Sequence, residues 1–280
     1  MVTAGCVVLD LPNRFQFGPH RIAWGAIGEG SPLVLVHGTP FSSQVWRRIA
    51  PWLARHHRVF FYDLLGYGQS DMPDADVSLG MQNELLVAIL REWGVDRPFA
   101  VAHDFGGTTA LRAHFLNGLE YSRLIVIDPV AIAPQGSPFV THVGRHEDAF
   151  RGLPVYVHDA LLGAYIQNSA AQRLSDSALA VYKKPWFGEV GQPAFYRQIA
   201  QMNQRYIEDV QRRYAPPAFP VRILWGRDDA WIPLDHGRRL AEKLTSGELT
   251  IVPDAGHLVQ EDAPEAIVAA VLDMSQQHEA

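Results

Sequence analysis

The chain has 280 residues, 48% of them hydrophobic and 19% charged, and a formal net charge of −6; that is enough apolar material for one substantial core with a smaller unit inserted into it. The mild acidity and the lack of a basic block exclude nucleic acid as an expected partner, and the single cysteine, Cys6, excludes an internal disulfide. The amino-terminal stretch has no basic region followed by a long apolar run, and no segment reads as a membrane span, so the cytoplasm is the expected location and no membrane contact is expected.

Short β-branched runs alternate with amphipathic segments, the pattern of a mostly parallel sheet covered by helices. Leu33-Val34-Leu35-Val36 is apolar on both faces, as a buried parallel strand should be, and it ends in His37-Gly38-Thr39-Pro40. A helix around Val45 to Ala54 and a strand at Arg58 to Tyr62 follow. His56-His57 reads as a solvated helix end. Between Ser78 and Trp93, Leu79, Leu85, Leu86, Ile89 and Leu90 recur at helical spacing. Then come a strand at Phe99 to Ala102, a helix from Gly106 to Leu116 and a strand at Leu124 to Ile127.

From about Ala133 to Pro217 the strand rhythm stops. The segment is rich in aromatic residues and broken by Pro and Gly, and it reads as a helical insertion. After Pro220 the rhythm resumes: a strand at Val221 to Trp225, a helix near Leu234 to Leu244, a strand at Leu249 to Val252 and a last helix from Ala263. Residues 1–132 and 218–280 are therefore expected to form an α/β core, and residues 133–217 a helical cap. Oligomeric state is left at monomer or homodimer.

Val101-Ala102-His103-Asp104-Phe105-Gly106-Gly107 stands between a predicted strand and a predicted helix. Small residues two before and two after Asp104 suit a sharp strand-to-helix turn that pushes the central side chain outward. The helix also aims its N-terminal dipole at that side chain, which favours an anion. Taken alone, Asp104 could equally be an N-cap. Asp229 and His257 weigh against that, because each follows a later predicted strand in the order nucleophile, acid, histidine. Asp228 rivals Asp229 within the same loop, and Asp128, at the end of the strand after the turn, is an alternative acid. The backbone N–H groups of Thr39 and Phe105 are the expected oxyanion donors, and His37 is expected to orient its loop. No HExxH, paired CxxC, Walker loop or GxGxxG is present, so neither a metal nor a cofactor is expected.

With these motifs the chain resembles the aspartate-nucleophile branch of the α/β-hydrolase superfamily, which includes epoxide hydrolases, haloalkane dehalogenases and fluoroacetate dehalogenases. Gly226-Arg227-Asp228-Asp229 followed by Ile232-Pro233 also resembles meta-cleavage-product hydrolases, but those use serine where this chain has Asp104. The resemblance implies an eight-stranded α/β-hydrolase fold. It also implies a two-step hydrolysis, in which Asp104 forms an alkyl ester and His257, oriented by Asp229, activates the water that cleaves it. Aspartate is ionised at neutral pH and needs no base for the first step.

Within the branch, the residues that hold a departing halide in haloalkane dehalogenases are replaced here by Phe105 and Thr39, and the arginines of fluoroacetate dehalogenases by Phe105 and Thr108. Epoxide hydrolases carry cap tyrosines, one of them in an aromatic-Tyr-Arg run. Phe195-Tyr196-Arg197 matches that run, and Tyr156 or Tyr165 is a candidate second donor or substrate contact. The resemblance thus implies an epoxide-hydrolase-like reaction on a small to medium apolar substrate. A haloalkane or haloacid dehalogenase is the alternative, and a receptor, lyase or cofactor-free oxygenase is the alternative of another class.

Overall fold

The computed structural model describes residues 8–276; Cys6 lies outside them. Its strands are β1 (Asn13–Phe17), β2 (His20–Ile27), β3 (Ser31–Val36), β4 (His57–Tyr62), β5 (Phe99–His103), β6 (Arg123–Ile127), β7 (Val221–Gly226) and β8 (Thr250–Val252). They form one eight-stranded sheet in the order β1-β2-β4-β3-β5-β6-β7-β8. The first two strands run antiparallel to their neighbours and all other pairs are parallel. This is the expected α/β-hydrolase sheet. Leu33 of β3 stands in register with Val59 of β4 and Phe99 of β5, and Leu33 through Val36 are wholly buried. That explains why the run is apolar at every position and not only at alternate ones.

The helices of the core are α1 (Ala50–Leu53), α2 (Leu79–Glu92) and α3 (Phe105–Asn117). The helix expected over Val45 to Ala54 is instead a 3-10 turn at Ser43–Trp46 followed by the short α1. Pro51 supplies the reason, since its missing N–H and its ring break a continuous helix there. The hairpin of β1 and β2 gave no strand signal in the sequence. β1 is an edge strand with mostly exposed residues, so it lacks the apolar run that marks a buried strand. His57 is buried between Ser31 Oγ and Ser275 Oγ, at 3.0 and 3.2 Å, which corrects the expectation of a solvated helix end.

Between β6 and β7 the chain forms α4 (Pro138–Arg145), α5 (Glu147–Arg151), α6 (Val155–Gln167), α7 (Asp176–Lys183), α8 (Gly188–Ala200) and α9 (Gln204–Gln211). This segment is tied to the sheet side by specific bonds. Trp186 Nε1 donates to Pro40 O at 2.7 Å, and Arg197 reaches Pro73 O and Asp74, each at 2.8 Å. Arg47 pairs with Glu261 at 2.6 Å while Tyr182 donates to that same carboxylate at 2.5 Å. Helices α10 (Leu234–Leu244), α11 (Val259–Asp262) and α12 (Pro264–Gln276) complete the fold. Among the described residues no helix is long and apolar enough to cross a membrane.

Candidate active site

Asp104 is the one residue between β5 and α3, and its backbone lies at φ 51°, ψ −120°. A non-glycine residue in that region carries about 1–3 kcal/mol of strain, and it is held there by its neighbours. A Cβ on Gly106 would come within 2.4 Å of His37 O, and one on Gly107 within 2.7 Å of Pro129 Cβ. A Cβ on Gly38 would fall 2.4 Å from Asp104 Oδ2. The small residues of the motif therefore let β3, β6 and the turn close on one another. The carboxylate that results is 2% exposed.

The loops after β3, β7 and β8 converge on it. Thr39 N–H donates to Asp104 Oδ2 at 2.7 Å. Phe105 is the first residue of α3, where a backbone N–H has no intrahelical acceptor. His257 Nε2 stands 3.4 Å from Asp104 Oδ1, and His257 Nδ1 is held by Asp229 Oδ2 at 2.9 Å. The other oxygen of Asp229 accepts the N–H groups of Trp231 and Ile232, at 2.7 and 2.9 Å. Asp228 lies in an exposed pair with Arg227 at 3.8 Å and does not reach the histidine. Asp128 accepts from Gly226 N at 2.9 Å through Oδ1 and does not bond the imidazole. His37 orients its loop as expected: Nε2 accepts from Leu64 N at 2.9 Å while Nδ1 faces Gly38 O, also at 2.9 Å.

Charge in this buried cluster is set by neighbours. Burial works to lower the pKa of His257, but the carboxylates of Asp229 and Asp104 override it and hold the imidazole well above its ordinary range. His103 lies beside it with ring centroids 4.8 Å apart. Burial and the charge of His257 push His103 down to about 3, so it is neutral, and its Nε2 meets His257 O at 2.8 Å, bracing the histidine loop. Asp128 is raised well above the carboxylate range, first by burial and then by the charge of Asp229.

The segment between β6 and β7 brings a different set of residues than its sequence suggests. The Tyr165 ring stacks on Trp231 at 4.6 Å, and Trp231 lies 4.9 Å from the His257 ring. Burial and then the charge of Asp104 raise the Tyr165 hydroxyl above its ordinary pKa. Tyr196 is a correction. Its hydroxyl is bonded to His158 Nδ1 at 2.8 Å, and His158 Nε2 meets Trp186 O at 2.8 Å. Burial alone pushes Tyr196 up to about 12, with no contribution from Asp104. Tyr156 is also corrected: at 77% exposed it faces solvent and contacts no substrate space.

The residue of α8 that reaches the loop bonded to Asp104 is Gln198, which the sequence reading missed. Its Oε1 accepts from Thr39 Oγ1 at 2.5 Å and from Tyr67 Oη at 3.0 Å. Residues 196 and 198 stand about 200° apart around a helix, so the site-facing side of α8 carries Gln198 and Phe195, and Tyr196 falls behind. The 3.6-residue spacing separates Tyr196 from Gln198, and packing sets which of the two meets the site. Beside the site, a cavity of about 320 Å³ is lined by Phe105, Leu79, Val130, Val140, Ile199 and Met202 among others. Among the described residues no group of three or more His, Cys, Asp or Glu side chains could hold a metal ion.

Known proteins share this fold. A solved alpha/beta hydrolase fold protein from Burkholderia ambifaria is 70% identical and superposes with a TM-score of 0.94, covering 95% of this chain and 98% of that one. The 2-hydroxy-6-oxo-2,4-heptadienoate hydrolase of Pseudomonas putida is 26% identical over 255 residues, 88% of this chain and 90% of that protein. A solved epoxide hydrolase is 21% identical with a TM-score of 0.73, over 93% of this chain and 96% of that one. The sequence profile of one family matches residues 33–270, the span that carries β3 through His257, and on that match the chain belongs to the alpha/beta hydrolase family.

Proposed function

We propose that the chain hydrolyses a small to medium apolar epoxide through a covalent ester on Asp104. The observation that carries this reading is the division of labour between the two oxygens of Asp104. Oδ2 is committed to the Thr39 N–H at 2.7 Å, while Oδ1 faces His257 Nε2 at the longer distance of 3.4 Å. An oxygen so disposed is free to attack carbon. In this reading residues 133–217 act as a cap over the nucleophile, and the cavity beside Phe105 receives the apolar part of the substrate.

In the first step Asp104 Oδ1 attacks a ring carbon. The carbon–oxygen bond of the ring breaks, its electron pair goes to the oxygen, and that oxygen takes the proton of Tyr165. In the second step His257 removes a proton from water, and the hydroxide attacks Asp104 Cγ. The charge that develops on Oδ2 is met by the N–H groups of Thr39 and Phe105. Collapse breaks the bond from Cγ to Oδ1, so the diol leaves with an oxygen that came from the enzyme. The proton on His257 goes to that oxygen, and the second proton of the water returns to Tyr165.

The leaving atom favours an epoxide over a halide. Phe105 has no side-chain donor, and the Thr39 hydroxyl is spent on Gln198, so a departing halide would lack the two donors that hold it in haloalkane dehalogenases. Tyr165 offers instead a hydroxyl that makes no hydrogen bond among the described residues. The test is a panel of styrene-type epoxides, haloalkanes, haloacetates and aryl esters, with the preferred substrate then run for a single turnover in heavy-oxygen water. An epoxide should turn over fastest, and the label should appear in Asp104 and not in the first diol. A label in the first product would make Asp104 a general base and sink the ester route. A preference for haloalkanes would move the reading to a dehalogenase.

Asp128 and Asp229 separate in the same framework. Asp128 bonds Gly226 N and not the imidazole, and burial favours its uncharged form, so Asp128→Asn should keep kcat within about fivefold, about 1 kcal/mol. Asp229→Asn removes the charge that orients and supports the imidazolium, and should cost about a hundredfold or more. Equal losses in the two variants would mean that both carboxyls serve His257.

A further inference from the structure

Among the described residues, the buried nitrogens around Asp104 without a hydrogen-bond partner include His257 Nε2 and Gln198 Nε2. The first is the base of the reaction proposed above. The second has no task in it. Gln198 is 2% exposed, and a side-chain amide buried without an acceptor for its N–H groups is an anomaly in a folded protein.

Oε1 of this amide accepts the hydroxyls of Thr39 and Tyr67, so Nε2 lies on the side away from them. Thr39 in turn gives its backbone N–H to Asp104. A single chain of contacts thus runs from the nucleophile through Thr39 to the amide, and the amide ends in two unused N–H donors.

We infer that Gln198 Nε2 donates a hydrogen bond to the substrate oxygen bonded to the carbon that Asp104 attacks, as the partner of Tyr165 in polarising the ring. This rests on the epoxide reading. It names the class of substrate further: the electrophile must carry a neutral oxygen acceptor at its reacting carbon. An amide neither titrates nor gives up a proton, so Gln198 holds the oxygen while Tyr165 protonates it.

The experiment measures the two half-reactions separately. The rate of adduct formation on Asp104 is followed by mass in His257→Gln protein, with Gln198 intact or replaced by Leu. Ester decay is followed by quenched single turnovers in protein that keeps His257. Loss of one preorganised donor should slow adduct formation about a hundredfold and leave ester decay within about threefold. Gln198→Met, closer in length, gives the same comparison should Gln198→Leu fail to fold. Adduct formation at an undiminished rate overturns the inference and leaves the epoxide reading standing. Equal slowing of both half-reactions also overturns it, because the amide would then act only by bracing Thr39 for both steps. If no epoxide gives an adduct with Gln198 intact, the inference and the reading beneath it fall together.

Discussion

His257→Gln should turn the chain into an ester trap. Glutamine cannot take a proton from water, so the second half-reaction should slow by about a thousandfold. The first half-reaction needs no base, because an aspartate is already ionised at neutral pH and His257 Nε2 stands 3.4 Å from Oδ1. Steady-state turnover should therefore collapse while a covalent mass increase accumulates on the peptide carrying Asp104. The loss should appear as one equivalent of epoxide consumed with almost no diol released. A comparable loss of turnover with no adduct would place His257 in the first step and break the proposed division of labour.

Asp104→Asn should remove turnover by about ten-thousandfold or more, since an amide is a poor nucleophile and no other carboxylate bonds Thr39 N–H. The same substitution should move His257. Burial works against the imidazolium, and Asp229 and Asp104 together hold its pKa well above the ordinary value. Deleting one negative charge 3.4 Å away must lower it. A titration of the His257 ring by NMR should show the drop in Asp104→Asn, and an unchanged pKa would mean that Asp229 alone supports the proton. The sign has a mechanistic consequence. Forming the ester neutralises Asp104 as the substitution does, so His257 loses its proton more easily after the first step than before it. The base becomes available when the ester is present.

Much of this was legible in the chain before any coordinates. Leu33 to Val36 is apolar at every position because β3 is covered on both faces and flanked by β4 and β5, and a wholly apolar run of that length has few other uses. The small residues around Asp104 announced a turn too tight for side chains, and the 2.4 and 2.7 Å approaches at Gly106 and Gly107 are that tightness. β1 was not legible, since an edge strand with exposed side chains has no burial to write into its composition. Nor was the break at Pro51 given its weight, although proline in a helix interior removes both a donor and the space for the preceding carbonyl.

The sequence by itself determined the fold and the order of Asp104, Asp229 and His257, because strand periodicity and tight turns are local properties that the chain must satisfy residue by residue. It left Asp128, Asp228 and Asp229 as rivals for one imidazole. Only the tertiary structure decided among them, by placing Asp229 Oδ2 at 2.9 Å from His257 Nδ1 and turning Asp128 to Gly226 and Asp228 to Arg227. The segment between β6 and β7 shows the same divide. Phe195-Tyr196-Arg197 drew attention to Tyr196 by likeness, yet that hydroxyl is satisfied by His158, and the rotation of α8 presents Gln198 to Thr39 instead. Which side of a helix faces a site depends on how the whole element is packed and on which hydrogen bonds compete for each side chain. Neither is encoded in the spacing of three residues.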